Sequence, residues 1–137
     1  MIVLDTNVLS EPFKSKPSTK VLEWLDGQVA ETLYMTTITR AELRFGVLRL
    51  PDGKRKKDLT GKIEEVLDLF NGRTLAFDVE ASEQLAQILA RTERVGQKPP
   101  VPDAYIAAIA AAKRFAVATQ NVSHFQSTGI PLINPWK

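Results

Sequence analysis

The chain has 137 residues, 18 basic against 16 acidic side chains, a net charge of +2, one histidine and no cysteine. That length suits one domain with its own core. The absent thiols exclude disulfides, a cysteine nucleophile, iron–sulfur clusters and every thiolate zinc site, and the lone His124 excludes a site built on two imidazoles.

No apolar run approaches the ~20 residues of a membrane span. The start, Met1-Ile2-Val3-Leu4-Asp5, has no basic region and meets an acid at once, unlike a signal peptide, so the cytoplasm is the expected location. Ile2-Val3-Leu4 is an unbroken apolar run, as expected of a strand buried on both faces of a parallel sheet. Asp5-Thr6-Asn7 breaks it, and Pro12 and Pro17 bracket a loop with Lys14 and Lys16. From Pro17 to about Gly27, Val21, Leu22, Trp24 and Leu25 fit one helical face.

Leu33-Tyr34-Met35 reads as a second strand ending in Thr36-Thr37. Thr39-Arg40-Ala41-Glu42 matches a capping box, so a helix is expected to open at Thr39 with Glu42 in its first turn and to run to about Leu50. Pro51-Asp52-Gly53 marks a turn. A further helix is expected over Lys54 to Phe70, a strand over Thr74 to Phe77, and a helix over Glu80 to Arg94. Pro99, Pro100 and Pro102 do not suit a helix interior. Ala104 to Arg114 reads as a closely packed alanine-rich helix, Ala116 to Thr119 as a strand, Asn121 to Phe125 as a short helix and Pro131 to Ile133 as a last strand. Strands alternating with helices predict a parallel sheet covered on both faces, an α/β chain with no linker that would divide it.

Open parallel sheets bind ligands beyond the carboxyl ends of their strands. Asp5 follows the first strand, Glu42 follows the second, and Asp103 starts the helix before the fourth; Thr119, Asn121 and Ser123 follow the fourth. Each acid has an ordinary structural explanation: a cap or turn for Asp5, the capping box for Glu42, the helix dipole for Asp103. Together they need another. Two unit charges ~4 Å apart repel by ~4 kcal/mol at an effective dielectric of ~20, and neighbouring carboxylates raise one another's pKa. A divalent cation removes the conflict, and oxygen ligation without His or Cys suits Mg²⁺ or Mn²⁺, the equipment of phosphoryl chemistry. His124 reads as a surface or capping residue, and Phe125, Trp24 and Trp136 as core or interface residues.

Three stretches carry a resemblance: Leu4-Asp5-Thr6-Asn7-Val8, Ile38-Thr39-Arg40-Ala41-Glu42-Leu43 and Pro102-Asp103-Ala104-Tyr105-Ile106-Ala107-Ala108. With Ala118-Thr119-Gln120-Asn121 and the Asn134-Pro135-Trp136 ending, they make the whole chain resemble a PIN domain, most closely the VapC toxins of the FitB-like branch. The resemblance implies a three-layer α/β/α fold with a short parallel sheet of about five strands. It implies a metal-dependent endoribonuclease using Mg²⁺, or Mn²⁺ as substitute, with Asp5, Glu42 and Asp103 as its catalytic and metal-binding acids. Thr6 and Asn7 would support Asp5, and Thr119 would line the site. Many relatives carry a further aspartate after the strand-four threonine. Here Asn121 and His124 stand at such positions, so no fourth acid follows that threonine.

The resemblance also implies an RNA substrate, a small cognate antitoxin and pairing as homodimers. Arg40, Arg44, Arg49, Lys54 and Arg55 are candidates for phosphate contact, although the basic stretch over 49–62 taken alone reads first as a solvated helix start. The apolar Phe45, Val47, Leu48 and Leu50 offer a candidate partner groove, which core burial explains equally well. A phosphatase with an aspartyl nucleophile is disfavoured, because Asn7 stands where its second acid is needed. A degenerate PIN fold that binds RNA or a partner without cutting is the alternative. No helix-turn-helix or basic arm suggests a DNA-binding regulator.

Overall fold

A computed structural model describes residues 1–137. Five strands, β1 (Ile2–Leu4), β2 (Leu33–Thr36), β3 (Thr74–Leu75), β4 (Ala116–Ala118) and β5 (Leu132–Ile133), form one parallel sheet in the order β3-β2-β1-β4-β5. Seven helices surround it: α1 (Thr6–Ser10), α2 (Thr19–Asp26), α3 (Thr37–Leu48), α4 (Lys54–Leu69), α5 (Val79–Arg94), α6 (Val101–Lys113) and α7 (Val122–Phe125). None is long and apolar enough to cross a membrane.

The buried strands separate two cores. Leu4, Met35 and Ala118 face a cluster with Val8, Val21, Leu43, Val47, Ile63 and Leu67, which joins α1 to α4. Val3 and Val117 face the opposite cluster, with Ile88 of α5, Ile106 and Ala107 of α6 and Phe125 of α7. Alternate residues of each strand thus feed opposite layers, which is why these strands read as unbroken apolar runs. The result is a three-layer α/β/α architecture. In α6, Ala104, Ala107, Ala108 and Ala110 are all buried, and their small side chains let the helix lie close to its neighbours. Phe125 is wholly buried, and Trp24 and Trp136 pack against the first cluster.

The differences from the sequence reading are local. Helix α1 was not expected, since five residues are too few to show a period. Helix α2 starts at Thr19, close to Pro17 as expected, and Ser18 caps it, its side chain accepting from the Val21 N–H. Val101 and Pro102 belong to α6, because a first turn makes no use of the N–H that proline lacks. The expected capping box is absent. Thr36 caps α3 by accepting from the Thr39 N–H at 3.1 Å, so Thr39 lies inside the helix and Glu42 falls in its second turn, free of any capping duty. Gly53 enables the entry to α4 at φ 152° and ψ −172°, a backbone region that essentially only glycine adopts.

From β1 the chain winds outward on one side to β3, then α5 and α6 carry it back across the sheet to β4 on the other side of β1. The strand order therefore reverses between β1 and β4. Beyond the carboxyl ends of those two strands opens the crevice where doubly wound sheets place their ligands.

Candidate active site

Asp5 leaves β1 at that reversal and is 4% exposed. Its backbone N–H donates to the Ala118 carbonyl at 2.9 Å, tying the ends of β1 and β4 together. Its carboxylate accepts from the Thr6 N–H at 2.8 Å, from the Thr119 hydroxyl at 2.8 Å and from the Asn7 amide at 3.3 Å. The first of these makes Asp5 the cap of α1, so the structural role and a place in the site coincide in one residue. Burial raises the Asp5 pKa above the ordinary carboxylate value, against the opposing pull of these donors and of His124.

The supporting residues interlock. Thr119 is wholly buried, and its hydroxyl oxygen accepts from the Asn121 N–H at 2.9 Å while its proton goes to Asp5. The Asn7 carbonyl oxygen accepts from the Gln120 N–H at 3.2 Å. Asn121 enters through its backbone; its exposed carboxamide makes no hydrogen bond. Thr6 joins two acids: its N–H holds Asp5, and its hydroxyl donates to Glu42 Oε1 at 2.7 Å. Glu42 is otherwise exposed on α3.

Asp103 sits in the first turn of α6 with its side chain 14% exposed. Burial raises its pKa, the nearby Asp5 carboxylate adds to the rise, and Glu42 contributes further; His124 acts in the opposite direction. The fold thus gathers all three acids within electrostatic reach. His124 was expected at the surface or as a cap. It is exposed, as expected, and in addition its Nδ1 lies 2.9 Å from Asp103 Oδ2, because α7 follows β4 at the mouth of the crevice. The sequence signal for this was its place shortly after Asn121, just beyond the end of β4.

The donors are hard oxygens beside one imidazole, and Asp5 and Asp103, whose pKa values burial raises, are the acids a cation would relieve, so the chemistry of the set fits a divalent metal that keeps several waters. The side chains do not close into a ready cage of three or more acid and histidine ligands. Thr6 holds Glu42 and His124 holds Asp103, so the acids frame an open position.

The basic candidates divide. Arg44 forms an ion pair with Glu64 that clamps α3 to α4. The Arg49 guanidinium lies over the Phe45 ring at 5.4 Å. Lys54 and Arg55, by contrast, line an open cavity with Phe13, Leu59 and Lys62. Arg40 is half-buried on α3, in no ion pair. Of the expected partner groove, Val47 belongs to the core, while Phe45 and Leu48 are 61% and 67% exposed.

Residues 2–129 match the family model for the PIN domain. Over 138 aligned residues the chain is 47% identical to the VapC ribonuclease Y4jK of Sinorhizobium fredii, covering 100% of this chain and 99% of that protein. It is 41% identical to the toxin FitB of Neisseria gonorrhoeae, covering 99% of each. Among solved structures, FitAB bound to an IR36 DNA fragment superposes with a TM-score of 0.97 at 40% identity, over 100% of this chain and 96% of that one. With its buried aspartate at the strand-order reversal and two further acids beside it, the chain belongs to the PIN-domain family, in the branch of the ribonuclease toxins of toxin–antitoxin systems.

Proposed function

We propose that the whole chain, 1–137, is one PIN domain that hydrolyses RNA phosphodiester bonds with Mg²⁺, or Mn²⁺ in its place, held by Asp5, Asp103 and Glu42. The observation that carries this reading is the buried Asp5 carboxylate with donors on only part of its periphery, beside Asp103 and Glu42 at one crevice. A bound cation supplies charge neutralisation at the phosphate and a more acidic water.

The chain's own groups do the rest. Thr119, Asn7 and the Thr6 N–H hold Asp5 in one orientation, so binding a cation there requires no reorganisation. Thr6 sets the separation of Asp5 and Glu42 through its two hydrogen bonds. Glu42 has its second oxygen free to orient the attacking water and take its proton. His124 orients Asp103. Asn121 contributes no charge, and the site is completed by the substrate phosphate rather than by a fourth acid. The relatives found in antitoxin complexes support a cognate antitoxin as partner, and we assign pairing as a homodimer to faces away from the crevice.

Cleavage of a mixed RNA panel by the purified chain tests this, in Mg²⁺, Mn²⁺ and EDTA, with Asp5→Asn alongside. Metal-dependent cutting that disappears in Asp5→Asn is the expected result; full activity in that variant would overturn the assignment. The uncharged Asn121 and the absence of a preformed three-ligand cage favour one second reading, a module that binds RNA without cutting. Metal-independent RNA binding with no cleavage in any condition would establish it.

A further inference from the structure

Three cavities outside the acid cluster share their walls. One, of about 160 Å³, touches the site at Thr6 and Glu42 and runs past Ser10, Phe13 and Leu59. A second, of about 760 Å³, shares Ser10, Phe13 and Leu59 and reaches Lys14, Lys16 and Arg55. A third, of about 500 Å³, shares Phe13, Leu59 and Arg55 and adds Lys54 and Lys62. They form one trough between the 10–16 segment and α4, with acids at one end, an apolar waist of Phe13 and Leu59, and cations at the other.

The cations at the far end are the available ones. Lys16, Lys54, Arg55 and Lys62 take part in no ion pair, whereas Arg44 is held by Glu64 and Lys56 by Asp52; Asp58 is the one acid on that stretch of wall. The 14–16 turn is fixed from below. Glu11, 3% exposed, accepts from the Ser18 N–H at 3.2 Å and pairs with Lys14 at 3.0 Å. A pole of carboxylates repels a polyanion, so a nuclease needs a neighbouring surface that attracts one.

We propose that a single-stranded RNA segment lies in this trough, its phosphates on Lys16, Lys54, Arg55 and Lys62 and a base against Phe13, leading the scissile linkage to Asp5 and Glu42. The inference rests on the nuclease reading above. It adds Lys16, Lys62 and Phe13 to the substrate contacts and removes Arg44 and Arg49. A splayed single strand suits a waist with one aromatic face better than a duplex does, since a stacked duplex offers no free base.

The test is fluorescence anisotropy of a labelled mixed-sequence 12-nucleotide RNA against salt, in the full chain carrying Asp5→Asn so that the probe survives. Adding Lys54→Ala, Arg55→Ala and Lys62→Ala is expected to weaken binding at least ~10-fold and to flatten the salt slope by about 2, at ~0.7 per lost phosphate contact. Phe13→Leu keeps the apolar packing and is expected to weaken binding with the slope unchanged; Arg44→Ala and Arg49→Ala are expected to leave both unchanged. An unaltered slope in the triple variant overturns the proposal, as does unaltered RNA binding with loss of binding to poly-glutamate, which would give the trough to an acidic protein partner. The nuclease reading is read out separately. Cutting by the parent chain with no slope change defeats the track alone, and a changed slope without any cutting defeats the nuclease alone.

Discussion

At one end of the crevice Asp5 is sealed between β1 and β4, with Thr119, Asn7 and the Thr6 N–H around its carboxylate; at the other, Asp103 meets a half-exposed His124 and Glu42 stands in solvent. The first end is organised by buried, mutually satisfied partners and cannot rearrange cheaply. The second is held by single bonds to exposed groups and is free to adjust when a cation and a phosphate arrive. Fixed geometry thus resides where the backbone of two strands supplies it, and adaptability where two helix starts approach from opposite sides.

The largest test of that contrast is Asp5→Asn. Cleavage is expected to fall on the order of 10³-fold, the scale of losing one organised charge-stabilising group, while stability moves the other way. Burial raises the Asp5 pKa above its unfolded value of 3.8, so the ionised carboxylate is penalised in the folded state. Its contribution to stability is fully present below the unfolded pKa and is lost as pH rises through the folded one. At pH 7 without metal, Asp5→Asn is therefore expected to raise Tm, an advantage that shrinks as pH falls through the raised folded pKa and is gone below about pH 4. A divalent cation is expected to raise Tm of the parent chain and not of the variant. Thermal melts across pH check both; a lower Tm for Asp5→Asn at pH 7 would show that the three donors outweigh the burial.

Next comes Thr119→Val, nearly isosteric at a wholly buried position. It removes a donor from Asp5 and leaves the Asn121 N–H without its acceptor, costing about 1–3 kcal/mol and driving the Asp5 pKa further up. Denaturant melts and a cleavage–pH profile shifted to higher pH are the readouts. At the adaptable end, His124→Ala is expected to weaken apparent cation affinity about tenfold, with His124→Asn, which keeps a donor toward Asp103, recovering most of it by calorimetry. Equal affinity in all three proteins would remove His124 from the site. The smallest effect belongs to Arg44→Ala. Its pair with Glu64 is part-exposed, so the loss is expected to stay within ~1 kcal/mol in a melt.

The sequence by itself determined the sheet and the acids. Apolar runs such as Ile2-Val3-Leu4 belong to strands buried on both faces, alanine-rich α6 has to pack closely, and Asp5, Glu42 and Asp103 are assigned to one sheet end by strand–helix alternation alone. The tertiary structure decided what depends on distance through space. Thr36 and Thr39 both carry a capping hydroxyl, and only where β2 ends decides that Thr36 caps α3, which frees Glu42 for Thr6. His124 and Asp103 are 21 positions apart, and their contact exists because α6 and α7 meet at the crevice. Likewise, the cations along 44–62 are alike in the sequence, while Glu64 and Asp52 withdraw Arg44 and Lys56, and Lys54, Arg55 and Lys62 line the trough. A pattern of residue types sets which chemistry is available; packing sets which partner each side chain finds, because hydrogen bonds and ion pairs act over a few ångströms that no sequence spacing specifies.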